Sequence, residues 1–158
     1  MDSKTLALGA TARPEPTPAQ RVADRDRGWL RKVLYRPLPR EAEPFAVVSR
    51  DGVPIAGYAI AADPQRPALL YAHGFLSGSR HRRVPAFMRR LSRDWAVYAM
   101  DFRGHGRSGG NATFAGTERL DLEAVVAMAR ARGHKHLIAV GSSMGGAACI
   151  RLAAKGGA

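Results

Sequence analysis

Gly141-Ser142-Ser143-Met144-Gly145 constrains this chain more than any other stretch. The short apolar run His136-Leu137-Ile138-Ala139-Val140, of strand type, comes before it, and residues 146–155, of helix-forming composition, come after it. The pattern G-x-S-x-G between a strand and a helix puts Ser143 at the tip of a sharp turn with its hydroxyl exposed. Backbone at such a tip is strained, and a side chain at position 141 or 145 would crowd it. The helix that follows aims free N–H groups and the positive end of its dipole at the same point. The pentapeptide alone is a common kind of turn, so its meaning depends on what the rest of the chain supplies.

The elements upstream supply it in order. Two strand-like runs, 45–49 and 55–60, flank Asp51-Gly52, a hairpin signal because glycine accepts the positive φ that such turns need. Residues 68–72, Ala-Leu-Leu-Tyr-Ala, are apolar without alternation, as expected of a strand covered on both faces. Val84, Phe87, Met88 and Leu91 then fall at i, i+3, i+4 and i+7, which predicts a helix with those four inward and Pro85 in its first turn. A second buried strand is predicted over 96–100. After it comes the loop 101–110, and then a helix from Thr117 to Gly133 with Leu122, Val125, Val126 and Ala129 inward. Glu118 and Asp121 suit its N-terminal end, Arg130 and Arg132 its C-terminal end. A hairpin followed by three strand–helix units predicts an α/β fold with a mostly parallel sheet.

Composition adds bounds. The 158 residues suffice for one domain with a core, and one cysteine excludes an intrachain disulfide. Residues 1–40 form a Pro- and Arg-rich arm, expected to be partly disordered, in which 29–35 has the pattern of one or two helical turns; residues 41–158 form the domain. No apolar run is long enough to span a bilayer, and the mildly apolar stretch near the N-terminus is too short and poorly flanked for a secretion signal. The expected location is cytoplasmic. The net charge of +12 raises nucleic acid as a partner, but no basic run is interleaved with aromatic residues. An arginine-rich solvated surface accounts for the charge, and no specific nucleic acid is expected.

His73-Gly74-Phe75, the loop Asp101-x-Arg-Gly-x-Gly-x-Ser108 and Gly141-x-Ser-x-Gly145, in this order after an Asp-Gly hairpin, together resemble the α/β-hydrolase superfamily, nearest to its esterase, lipase and serine-aminopeptidase-like branch. The resemblance runs over residues 45–155. It implies Ser143 as the nucleophile of acyl transfer and the backbone N–H groups of Phe75 and Met144 as the oxyanion hole. The implied substrates are small esters, thioesters or amides, with no cofactor and no metal. The branches that use aspartate in place of this serine are disfavoured.

The departure is as informative as the match. In this superfamily the acid and the histidine follow the nucleophile, whereas all five histidines here precede Ser143. His73 belongs to the oxyanion loop and is read as structural, and His105 is the one in-chain histidine placed to substitute as base. His81, His134 and His136 read as surface or strand-edge residues. Asp101 and Asp121 read as fixing a loop and a helix end, Cys149 as a small core residue. The final helix is apolar almost all round, and its strand lacks the charges that guard a natural sheet edge. The chain is therefore expected to be the N-terminal half of a hydrolase, ending after the helix that follows Ser143 and inactive by itself. The alternatives are a non-catalytic remnant or an interaction module that pairs through the exposed edge, and, further off, a basic nucleic-acid-binding protein.

Overall fold

The hairpin forms as its sequence predicts: β1 (Glu43–Val48) and β2 (Pro54–Ile60) pair antiparallel across a turn at 49–53. A computed structural model describes residues 35–156; most of the arm, and all of the predicted helical turns but Tyr35, lie outside the described residues. In the turn, the Ser49 N–H donates to the Val53 carbonyl (2.9 Å) and its hydroxyl to the Asp51 carboxylate (2.6 Å). Three further strands follow, β3 (Ala68–Ala72), β4 (Ala96–Met100) and β5 (Leu137–Gly141), in the sheet order β1-β2-β4-β3-β5. β4, β3 and β5 are parallel neighbours, and only β2 runs against the rest. The sheet is mixed and mostly parallel, with α1 (Val84–Leu91), α2 (Glu118–Ala131) and α3 (Met144–Ala153) as its flanking helices.

Alternation along the strands explains why 68–72 and 96–100 look uniformly apolar. On one face, Leu70, Tyr98 and Met100 join Leu122 and Val125 of α2 and Ala148 and Leu152 of α3 in a single core. On the other, Val97 and Ala99 meet Tyr58 and Ile60 of β2 and Val84 and Met88 of α1. Each fully buried Leu, Val or Met side chain among them contributes about 1.5–3 kcal/mol of transfer free energy.

Two expectations need correction, and a third gains a further role. Phe87 is not inward: it is half exposed, because Pro85 takes the place beside Val84 and Met88 against the sheet. His134 is not a surface residue. It is buried, its Nδ1 donates to the Arg66 carbonyl (3.0 Å), and its Nε2 accepts from the Tyr98 hydroxyl (2.8 Å). Glu118 does more than suit a helix end. Its buried carboxylate accepts from both the N–H (2.6 Å) and the hydroxyl (2.7 Å) of Thr113, tying the preceding loop to α2. Burial alone would raise its pKa, but these hydrogen bonds outweigh burial and lower it.

Among the described residues, no helix is long and apolar enough to cross a membrane.

Candidate active site

β5 ends at Gly141 and α3 begins at Met144, so the chain reverses within two residues. Ser143 carries the reversal with φ 49° and ψ −119°, a backbone state that costs an L-residue about 1–3 kcal/mol. The two glycines make it sterically feasible. A Cβ on Gly141 would sit 2.4 Å from the Gly145 carbonyl group, and one on Gly145 would sit 2.1 Å from the Ala72 carbonyl oxygen. Hydrogen bonds hold the turn: Ser142 N–H to Ala72 O (3.2 Å), Gly145 N–H to Ser142 O (2.9 Å) and Ala147 N–H to Ser143 O (3.0 Å). The turn thus packs directly on the end of β3, and Ser143 faces solvent.

The loop leaving β3 comes to the same place. A Cβ built on Gly74 would lie 3.4 Å from the Ser143 Cβ, ordinary contact distance, so 73–75 lies against the serine turn. Met144 holds the first position of α3, where a backbone N–H has no partner inside the helix. Among the described residues, neither the Met144 N–H nor the Phe75 N–H is given to a protein acceptor, whereas the neighbouring N–H groups of Gly145 and Ser77 are. The Met144 side chain is buried in the core, which anchors the amide from behind.

The histidines nearby are engaged with backbone. His73 is buried, its Nδ1 donates to the Gly74 carbonyl (2.8 Å), and its Nε2 accepts from the Phe102 N–H (3.0 Å). Burial holds its pKa below the ordinary imidazole value. His105 places Nε2 2.6 Å from the Phe75 carbonyl and Nδ1 3.0 Å from the Arg103 carbonyl. Neither ring directs a nitrogen at Ser143. Cys149, half-buried beside the core, has its thiol pKa pushed up by burial, which disfavours the reactive thiolate.

The 101–110 loop buttresses this end of the sheet. The Asp101 carboxylate accepts from the Ser79 N–H (2.7 Å) and the Arg107 N–H (3.1 Å), and the Ser108 hydroxyl accepts from the Ala56 N–H (2.9 Å). Arg103 is buried and bridges two carboxylates, Asp51 in the hairpin turn (2.7 Å) and Asp121 on α2 (2.6 Å). The Arg103 guanidinium, with help from the Ser49 hydroxyl, holds Asp51 well below the usual carboxylate range. Asp101 and Asp121 thus fix a loop and a helix start, as expected. The Arg103 bridge escaped sequence reasoning, since no spacing rule links positions 51, 103 and 121; the pattern shows Arg103 only as a residue inside a glycine-rich loop.

An exposed serine at a strained strand–helix turn, abutted by a loop with an unengaged amide, on a mostly parallel sheet, defines the α/β-hydrolase class. The chain belongs to the serine aminopeptidase S33 family, whose model matches residues 63–158. Among solved structures it is similar to an esterase of Pyrococcus furiosus (28% identity, TM-score 0.64), matched over 71% of this chain and 46% of the esterase. An α/β hydrolase of Novosphingobium aromaticivorans is 29% identical with TM-score 0.61, over 73% of this chain and 40% of that one. The bottromycin epimerase BotH is 30% identical with TM-score 0.52, over 66% and 40%. The chain thus spans less than half the length of these structures.

Proposed function

We propose that this chain carries the nucleophile and oxyanion hole of a serine hydrolase acting on ester, thioester or amide bonds. Ser143 Oγ attacks the carbonyl carbon of a small acyl substrate, the Phe75 and Met144 N–H groups receive the oxyanion, and water then hydrolyses the acyl-enzyme. The observation that carries this reading is the conformation of Ser143, φ 49° and ψ −119°, at the N-terminus of α3 beside the 73–75 loop. The chemistry needs no cofactor. A cytoplasmic location fits a chain whose one cysteine forms no disulfide.

Among the described residues, His73 and His105 both direct their ring nitrogens at backbone, so neither serves Ser143 as base. Removing the base from such a constellation costs on the order of 10⁶ in turnover, so the 158-residue chain by itself is proposed to be inactive as a catalyst. The epimerase BotH is a reminder that similar chains serve other chemistry, so the nucleophile is tested before turnover. A fluorophosphonate should form an adduct at Ser143, found by peptide mass spectrometry, lost in Ser143→Ala and accelerated by added imidazole acting as an external base. No adduct, with or without imidazole, would sink the proposal.

A second reading, a strand-pairing module without catalysis, is favoured by one observation. β5 is an edge strand on which Ile138 and Val140 are 46% and 43% exposed. Self-association through that edge is its expected signature.

A further inference from the structure

The two carbonyls that bracket Phe75 are both held by imidazoles. The Gly74 carbonyl accepts from His73 Nδ1 (2.8 Å) and from the Ser77 N–H (3.0 Å). The Phe75 carbonyl lies 2.6 Å from His105 Nε2 and, among the described residues, is given no other donor. The Gly74 carbonyl and the Phe75 N–H belong to one planar trans peptide and point in opposite directions. Holding that carbonyl therefore fixes the direction of the Phe75 N–H, which no protein acceptor among the described residues takes up. The next peptide is held through the Phe75 carbonyl, so both peptide planes around Phe75 are fixed.

The two rings are themselves anchored. The Phe102 N–H on His73 Nε2 leaves the His73 proton on Nδ1, where it serves the Gly74 carbonyl. His105 Nδ1 faces the carbonyl of Arg103, whose side chain is bonded to Asp51 and Asp121. His105 also meets the His73 ring edge-on at 5.0 Å and the Phe75 ring at 5.4 Å, and Phe75 stacks on Phe114 at 4.3 Å. As a base for Ser143, His105 would need a ring nitrogen directed at the hydroxyl, yet both of its nitrogens face backbone carbonyl oxygens, Nε2 that of Phe75 and Nδ1 that of Arg103.

We infer that His105 is a positioning residue of the oxyanion loop: it holds the Phe75 carbonyl while His73 holds the preceding one, and together they set the direction of the Phe75 N–H. The inference rests on the acyl-transfer reading for its purpose, but the geometry it asserts is testable without it.

The test uses the isotope-labelled 158-residue chain in solution, as wild type, His105→Ala and His105→Gln. Gln is chosen because its Nε2 amide reaches about as far as imidazole Nε2 and can donate to the same carbonyl. The carbonyl carbon resonance of Phe75 should move upfield in His105→Ala, as a carbonyl losing its donor does, and return toward wild type in His105→Gln. An alkylboronic acid, which adds to a serine hydroxyl to form a tetrahedral anion, should shift both the Phe75 and Met144 amides of the wild type. In His105→Ala the Phe75 response should be lost while the Met144 response stays, a split that general destabilisation would not give. A Phe75 carbonyl resonance unchanged in His105→Ala overturns the inference, as does a Phe75 boronate response that survives the substitution. A wild type whose Phe75 and Met144 amides both ignore the boronate counts against the acyl-transfer reading instead, and the carbonyl resonance then decides the inference alone.

Discussion

The two outer strands of the sheet are built on opposite principles. β1 alternates, with Phe45 and Val47 turned to the core, and it carries Glu43 and Pro44 at its exposed start. Charge and proline are what natural edges use to discourage further pairing. Its hairpin turn is also tied to the body of the domain through Asp51, Arg103 and Asp121. β5 has no charge, no proline and no such tie. Leu137 touches the core formed with α2 and α3, but Ile138 and Val140 point to the other face, where α1 packs over β2 and β4 and leaves them uncovered. One edge is finished; the other has the composition of an interior strand.

The largest effect should come from breaking the tie on the finished side. Arg103→Met leaves Asp121 buried without its guanidinium partner, and removing one member of a buried pair costs about 3–5 kcal/mol. Urea unfolding should show that loss. The double variant Arg103→Met, Asp121→Leu should recover a large part of it, because the uncompensated charge is then gone. A single variant as stable as wild type would mean that the bridge does not hold the hairpin to α2.

The same contrast explains what could be read from the sequence. The strands, the helices and the serine turn were legible because each rests on local chemistry: apolar runs, helical spacing, and glycines where a side chain at 141 or 145 would strike backbone. The interior of the site was less so. That His73 and His105 face backbone carbonyls, that His134 is buried against Tyr98, and that Arg103 joins Asp51 to Asp121 all depend on chain segments meeting from far apart. No period or motif encodes those encounters. Phe87 was misread for a related reason: helical spacing predicts a wide apolar face, but the width that is covered depends on the surface the helix lands on.

Acid should act on the hairpin tie and on the loop after β3, and not on β5 itself, since no side chain from Leu137 to Gly141 titrates. His73 has a folded-state pKa below its unfolded value near 6.5, so it binds a proton more readily when unfolded. Its contribution is complete above that value and is lost as pH falls from about 6.5 toward the folded pKa. Asp51 also has a lowered folded-state pKa, so its contribution is present above about 3.9 and is lost below that, with Glu118 acting in the same direction. Unfolding free energies measured from pH 7 downward should therefore fall in two stages. His73→Asn should remove the first stage, and Asp51→Asn should shrink the second. A single loss confined to pH below 4 would mean that His73 is not held neutral in the fold.

The smallest change in stability, and the sharpest test of the contrast, is a lysine on each edge. Val140→Lys and Ala46→Lys both alter exposed positions on outer strands, so each should change the unfolding free energy by no more than about 0.5 kcal/mol. Their effects on association should differ. On β5 the new charge sits among uncovered apolar side chains, where a pairing strand would have to desolvate it; on β1 it joins an edge already guarded by Glu43 and Pro44. Sedimentation velocity over a range of concentrations should show the wild type and Ala46→Lys associating alike, and Val140→Lys shifted toward monomer. Equal association by all three would place the contact away from β5 and remove the physical case for a pairing edge.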